Sequence, residues 1–588
     1  MMKTALFFAP HSHIWLHAYP EALVAEALAQ HNVKIHYVTC DKALASWCVA
    51  MEAVGETESA TESAKDAICA KCVQNKDVLL KHFAFEHSSL NSYLSDKDQK
   101  RISSILESVS QNQVFDFQID GLDVGRAALY NLILNRKKNF ELGFTNEEWH
   151  AFLKHFRSSL VSFFAGKNLL VQQKPDFVIF YSSSYSINLV VRLQAERLRI
   201  PCFSIYAGSN WANRLKKIHI STTDSFDATK MRLDLWQRTY HALPATIESL
   251  QSTLLFQKAL LGGTNSMVYG GGNKRVYAEE VRQKWGIPSQ KKILLMATSS
   301  SDELLAAQTI KAIPSNLIMA FRNQIDWIAE TIKFVSLRDD LVLVIRIHPR
   351  ELPNRREPIA SEHSIRLQKL LQDVPSNVRV NWPDDGMSLY DWLDAVDLGL
   401  TSWSSSGKEF ALWGIPNLSY TNEISFYPKQ ELGFVGETRE EYFRQIDAAL
   451  KQGWSEQRIY RAYRWVAYDL EAPVFDLSDA IPDSLAVRKS LFWRIFDKLT
   501  RYGFAERKWL LYHRRPLKQS GLIANRVLTD IPTEDVLEET RVRLKPDDEI
   551  REIKNIVSEM ANLRFGRNWQ KTAPLSPLRV NLAAMLEQ

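Results

Sequence analysis

The chain has 588 residues, of which 45% are hydrophobic and 24% charged, and it carries a net charge of +5. That profile excludes a disordered chain, a collagen-like chain and a disulfide-stapled miniprotein, and the length predicts several domains. No stretch reaches the ~18 uninterrupted apolar residues of a membrane span; the densest, over 341–345, stops at Arg346. The apolar start before Pro10 is too short for a signal peptide, so a cytoplasmic protein is expected.

In chain order, residues 3–9 form a short apolar run ended by Pro10, the pattern of a buried strand. A helical pattern follows over 21–28, and 33–39 is strand-like again. Strand, helix, strand at this spacing is a βαβ unit and predicts a parallel sheet. From about 52 to 140 the signals are mostly helical and polar, as for an insertion. Thr145 opens the next helix with a capping box that Glu148 completes. That helix leads to a second βαβ unit, with strands over 177–181 and 202–205 around a helix at 189–198. Glycines at 262–263 and 270–272 mark the best boundary. Beyond it, strands are legible over 293–297, 341–347, 378–381, 398–401 and 417–420. Helices separate them, including 388–395, where Asp391 completes a cap, and 408–413. The expected fold class is α/β, with two tandem Rossmann-like doubly wound domains at 1–265 and 266–475 and a helical C-terminal extension at 476–588.

Five cysteines over this length form no disulfide framework. Cys40, Cys48, Cys69 and Cys72 all fall near the N-terminus, the last two in a CxxC. Four thiols could hold a structural zinc ion in a tetrahedral shell, but one CxxC is a weak signal and ordinary buried thiols are the plainer reading. The positive charge is concentrated. Between residues 485 and 526 eleven Lys and Arg stand against Asp497 and Glu506 alone. Phe492, Trp493, Phe496, Tyr502, Phe504, Trp509 and Tyr512 are interleaved with them. Such a mixture suits an anionic membrane surface, where each basic residue contributes about 1 kcal/mol and aromatics settle at headgroup depth. It suits equally a helix packed on its own protein with a solvated basic face. No nucleic-acid motif accompanies it, and no nucleic-acid partner is expected.

In open parallel sheets ligands bind beyond the strand C-termini, so the strand-to-helix loops of the second domain carry the chemistry. The first, Thr298-Ser299-Ser300-Ser301-Asp302-Glu303, is rich in hydroxyls where a helix N-terminus would receive phosphate. The second holds Arg346, His348, Pro349 and Arg350. Arginine matches phosphate with a planar fork, and imidazole donates one hydrogen bond to it. The third is Ser404-Ser405-Ser406-Gly407-Lys408-Glu409. Serines followed by glycine let the backbone approach a phosphate, the opening helix aims N–H groups at it, and Glu409 could accept from ribose or sugar hydroxyls. Any one loop is explained by serine capping. Three on one domain predict a nucleotide-phosphate cleft.

Residues 346–349 and 404–416, set in two Rossmann-like domains, resemble the C-terminal half of GT-B glycosyltransferases. They are most similar to the bacterial capsule polysaccharide biosynthesis and Kdo-transferase group, whose His-Pro motif and later Ser-Ser/Gly/Glu and Gly-x-Pro segment bind the donor nucleotide. The likeness runs over about 291–420, is weaker over 1–209 and is absent beyond about 475. It implies an acceptor-side domain at 1–265 with a helical insertion near 52–140, and a nucleotide-sugar donor domain at 266–475. It implies a glycosyltransferase that moves a sugar from a nucleotide-activated donor, a CMP-sugar favoured, to a capsule or lipopolysaccharide acceptor, a glycan or lipid-linked glycan. Donor-binding roles then fall on Thr298, Ser299, Ser300, Arg346, His348, Pro349, Arg350, Ser404, Ser405, Ser406, Gly407 and Glu409. No cofactor or catalytic metal is expected, because arginine, serine and helix dipoles neutralise the phosphate. The enzyme would be cytoplasmic or peripheral on the inner face of the membrane. The motifs are also similar to those of teichoic-type polyol- or sugar-phosphate polymerases and, more remotely, nucleotide-sugar epimerases. A nucleotide-sugar hydrolase and a non-catalytic GT-B scaffold complete the alternatives.

In a GT-B enzyme the acceptor domain supplies the general base. His11, His13 and His17 follow the first strand directly, and an imidazole with a pKa of about 6.5 suits the task. Asp123 is the other candidate, with Arg126 able to hold an anionic acceptor. Tyr181 and Ser182 would line the acceptor side.

Overall fold

A computed structural model describes residues 2–263, 276–354, 357–481, 511–529, 531–572 and 574–587. The glycines at 270–272 and the aromatics from Phe492 to Trp509 named above lie outside the described residues.

The first body is built on β1 (Thr4–Phe8), β2 (Lys34–Thr39), β3 (Glu86–Ser89), β4 (Phe177–Tyr181), β5 (Cys202–Ala207) and β6 (Lys217–Ser221). The second uses β7 (Lys292–Ala297), β8 (Leu341–Arg346), β9 (Val378–Asn381), β10 (Leu398–Thr401), β11 (Asn417–Ser419) and β12 (Phe434–Val435). A last short strand, β13 (Phe475–Asp476), returns to the first sheet. The sheet orders are β13-β6-β5-β4-β1-β2-β3 and β12-β11-β10-β7-β8-β9. The second sheet is parallel throughout, whereas β6 and β13 run antiparallel at the edge of the first. Both sheets reverse direction beside their first strand, the arrangement of a Rossmann-like fold.

Two-sided burial explains why the central strands β1, β4, β7 and β8 are almost continuously apolar. Leu6 and Phe8 join Val178 and Phe180 in one core, while Ala5 and Phe7 join Phe177 and Ile179 in the other. In the second body Leu294 and Met296 face the opposite side from Ile293 and Leu295. The capping boxes of Thr145 with Glu148 and of Ser388 with Asp391 both form. Four strands, β3, β6, β12 and β13, lie outside the expected set. β3 is a polar edge strand of four residues with no apolar alternation, and it lies within the stretch read as helical.

The bodies touch through the helices Val124–Arg136 and Ser301–Thr309. Lys137 Nζ donates to the Arg350 and Ile359 carbonyls at 2.6 and 3.1 Å and pairs with Glu357 at 2.8 Å. The C-terminal region is helical and spreads over both bodies. Helix Ser520–Thr529 packs on helix Trp15–Ala29, while Pro546–Phe565 and Pro577–Glu587 complete the second core. Part of the basic segment therefore turns inward: Arg514 pairs with Glu26 and covers the Phe83 ring, and Arg526 is buried over Phe203. Tyr512 and Lys518 stay exposed. No helix among the described residues is long and apolar enough to cross a membrane.

Candidate functional site

The reversal point of the second sheet lies between β7 and β10, and the loops leaving these strands meet there. Ser299 and Ser402 share a hydroxyl hydrogen bond of 2.8 Å across it. Thr298 serves the neighbouring loop: its hydroxyl donates to the Arg346 carbonyl at 3.1 Å and accepts the His348 N–H at 2.8 Å. Lys429 ties the loops from behind, donating to the Ser402, Thr421 and Ile424 carbonyls at 3.0, 2.7 and 2.7 Å. This buried lysine has no motif around it, and sequence reading missed it.

On the β8 loop, His348 Nδ1 accepts the Arg350 backbone N–H at 3.2 Å. Burial, reinforced by the Arg346 and Arg350 charges, lowers its pKa to about 3. The ring is therefore neutral, and with Nδ1 accepting, its proton sits on Nε2. Arg346 is partly buried, and its Nε finds no hydrogen-bond partner among the described residues. A buried donor without a partner costs free energy, which a bound acceptor would recover. Arg350 differs from the expectation. Its guanidinium meets Asp302, Glu303 and Glu357 at 2.8, 3.3 and 3.2 Å, and three carboxylates occupy the fork that a phosphate would need. Pro349 opens a short 3-10 turn that fixes His348 as its cap.

The third loop brings Ser404, Ser405, Ser406 and Glu409 together. Ser404 Oγ accepts from the Ser406 N–H and hydroxyl at 3.2 and 2.9 Å, and Ser405 is exposed. Glu409 accepts from Ser405 Oγ at 3.3 Å and from the Tyr390 hydroxyl at 2.7 Å. Burial pushes its carboxyl up, against the pull of Tyr390 and Lys408. Tyr390 is itself braced from the C-terminal helices, because Arg564 donates to its carbonyl at 3.0 Å. Two features correct the sequence reading of this loop. The helix it opens, Ser406–Leu412, has only seven residues, so its dipole contributes little. Gly407 is required by packing: a Cβ there would lie 1.7 Å from the Tyr427 hydroxyl. Gly407→Ala is expected to cost about 1–3 kcal/mol through overpacking, read as a lower Tm, with the Ser404–Ser406 loop displaced.

In the first body the loops after β1 and β4 bring imidazoles and tyrosines together. His17 stacks on Tyr181 at 4.2 Å, and Tyr185 contacts both His11 and His17 at 5.7 and 6.1 Å. His11 Nε2 lies 3.3 Å from Asn188 Oδ1. Ser182 adopts a left-handed backbone, φ 58°, at the end of β4, a strained conformation where the sheet reverses. Burial lowers the pKa of His11 to about 4, and burial with the His11 and Arg214 charges lowers that of His17 to about 3. Asp123 stands apart in an ion pair with Lys311 at 2.6 Å, and Arg126 covers the Phe115 ring. Although burial works the other way, Lys311 and Gln118 hold the Asp123 carboxyl low, which makes it a weak proton acceptor.

A carboxylate that sequence reading missed has a higher proton affinity than Asp123. Glu52 ends the short helix Val49–Glu52 and accepts from Asn131 Nδ2 at 3.2 Å. Burial raises its pKa to about 7, moderated by Asn135 and Asn131, and it feels the Arg350 charge of the opposite body. Its own charge reaches Tyr185 and Tyr130. In the sequence it is one glutamate in a polar stretch. Beside the β7 and β10 loops a cleft of about 660 Å3 opens, lined by Lys137 and Asn139 of the first body and by Ser301, Gln324, His363 and Trp403 of the second. The Trp403 indole N–H is buried and finds no partner among the described residues.

No family model and no curated protein matches the chain. Solved structures do, at low identity. The β-Kdo 2,4 transferase KpsC of Thermosulfurimonas dismutans is 13% identical, with 49% of this chain and 79% of that one covered and a TM-score of 0.30. A Methanocaldococcus jannaschii UDP-GlcNAc 2-epimerase in complex with UDP-GlcNAc and UDP is 13% identical over 79% and 97%, with a TM-score of 0.24. The spinosyn rhamnosyltransferase SpnG is 10% identical over 80% and 97%, also at 0.24. At these identities and TM-scores the likenesses carry no argument about activity, and the chemistry of the cleft rests on the chain's own residues.

Proposed function

We propose that the protein is a GT-B-type glycosyltransferase that transfers a sugar from a nucleotide-activated donor to a surface-glycan acceptor. The observation that carries this reading is the edge of the second sheet, where Arg346 Nε and a neutral, Nε2-protonated His348 stand beside the serine loop and Glu409. Arg346 Nε would meet the phosphate oxygens of a leaving nucleotide, whose charge grows as the anomeric C–O bond breaks. Glu409 and Tyr390 would take ribose hydroxyls. Glu52 would accept the proton of the acceptor hydroxyl as its oxygen bonds the anomeric carbon. The proton ends on the carboxylate and the electron pair of the broken bond on the departing phosphate. The 660 Å3 cleft, lined by Ser301 after β7 and Trp403 after β10, has room for a sugar. A lipid-linked acceptor would bring the enzyme to an anionic leaflet, with Tyr512 and Lys518 among the exposed residues that could meet it.

Thermal shifts with CMP, UDP, GDP and CDP test the donor site. A nucleotide that binds the folded state raises stability by about 2.7 kcal/mol at a hundredfold excess over Kd. One nucleotide is expected to raise Tm clearly above the others. His348→Ala is expected to weaken its binding by about 1.5–3 kcal/mol, or 10- to 150-fold, the value of a hydrogen bond to a charged group. Equal shifts for all four nucleotides, or full affinity in His348→Ala, would count against the assignment.

A further inference from the structure

Tyr390 sits on a helix of only four residues, Leu389–Trp392. One turn cannot hold itself, because fixing it costs more than its hydrogen bonds return and its last carbonyls have no partner within the helix. Its amino end is closed by the box of Ser388 and Asp391. Its carboxyl end is closed from far along the chain. Arg564, 1% exposed in the last turn of helix Pro546–Phe565, donates to the Tyr390 carbonyl at 3.0 Å and to the Asp391 carbonyl at 3.4 Å. The same guanidinium donates to the Val276 carbonyl at 2.9 Å and so joins three segments. Just beyond the turn, buried Asp394 accepts from the Ala278 N–H at 2.8 Å, from Arg579 Nε at 3.2 Å and from the Ser576 hydroxyl. The C-terminal helices thus clamp this turn at both Tyr390 and Asp394.

We infer that Arg564 is a positioning residue that gives the donor site its preference for ribose over deoxyribose. The inference rests on the reading above, in which Glu409 and Tyr390 take the ribose hydroxyls. Glu409 accepts two hydrogen bonds. The one from Ser405 is 3.3 Å long and comes from an exposed residue, whereas the one from the Tyr390 hydroxyl, at 2.7 Å, holds Oε2. The Tyr390 hydroxyl therefore sets the direction of the carboxyl, and Arg564 sets the backbone from which Tyr390 projects. A site built to accept from substrate hydroxyls rejects an analogue without them, because its own polar groups are then left unpaired. That rejection requires the carboxyl to be held within hydrogen-bond reach, and the helical extension supplies the hold.

CMP, UDP, GDP and CDP are to be compared with their 2′,3′-dideoxy counterparts on the full-length protein. In the wild type the nucleotide that binds is expected to do so about 10- to 150-fold more tightly than its dideoxy form, the value of a hydrogen bond to a charged group. Arg564→Lys keeps the charge but, as a point donor, cannot span the Val276 and Tyr390 carbonyls together. It should lose most of the preference by binding the ribonucleotide more weakly, with the dideoxy form bound as in the wild type. Tyr390→Phe should do the same, and the two changes combined should lose no more than Tyr390→Phe alone. A residue that only supports the fold would weaken both forms alike. If Arg564→Lys does not fold, hydrogen exchange on the wild type decides: by linkage, the ribonucleotide and not the dideoxy form should protect the amides of 389–393 and 560–565. Preference retained in Arg564→Lys, equal loss for both forms, or no protection of 560–565 would overturn the inference. No preference in the wild type would remove Glu409 and Tyr390 from the ribose, and the inference with them. No binding by any of the four nucleotides would remove the donor-site reading itself and everything built on it.

Discussion

Glu52→Gln is expected to lower transfer roughly 100- to 10,000-fold, the usual contribution of a positioned general base, while the protein stays folded. The amide has the shape of the carboxyl and can still bond Asn131 and Asn135, so a structural loss is not the expected cause. The pH profile separates the candidates. A base must be deprotonated to act, so wild-type kcat/KM should rise through pH about 7 as Glu52 ionises. His11 or His17 in that role would place the rise near 4 or 3, and Asp123 would place it low as well. Glu52→Gln should remove the limb near 7. A wild-type profile flat through that region, or a variant that retains the limb, would return the role to the histidines.

Asp469→Asn is expected to destabilise the fold by about 3–5 kcal/mol. Asp469 is buried and stands between Lys408, at 3.0 Å, and Arg232, at 3.6 Å. Burial works to raise its pKa, but Lys408 and Arg232 outweigh it and keep the carboxyl ionised. Removing the charge leaves Lys408 buried over the Phe256 ring without its counter-ion. Lys408 adjoins Glu409 on the third loop, and Arg232 lies on helix Ser225–Arg238 of the first body. The variant should therefore lose both Tm and nucleotide affinity. A Tm within a degree or two of wild type would show that the triad contributes little.

The central parallel strands were legible because burial on both faces leaves little that is polar in them, as in residues 341–345. Edge strands carry no such mark. β3 is Glu-His-Ser-Ser and is held by backbone pairing with β2, while β6 alternates Ile218 and Ile220 with polar residues and could have been found by its period of two. The three loops of the second body were legible by position, at the ends of apolar runs, but not in their bonding. Arg350 and Arg346 look alike in sequence, and only the fold sets three carboxylates around one and none against the Nε of the other. Gly407 read as a ligand glycine because its conflict with Tyr427 spans twenty positions of chain. Glu52 and Lys429 owe their character to burial, which no local motif reports.

The central claim is transfer from a nucleotide sugar to an acceptor, and it is tested most directly by following both products at once. The protein would be incubated with CMP-, UDP-, GDP- and CDP-sugars, with and without a short surface-glycan acceptor. Released nucleotide and sugar joined to acceptor would then be measured in the same samples. Transfer at the cleft between the two bodies predicts equal amounts of the two from one donor, with release dependent on acceptor. Nucleotide released at the same rate without acceptor, or an altered sugar still joined to its nucleotide, would contradict it.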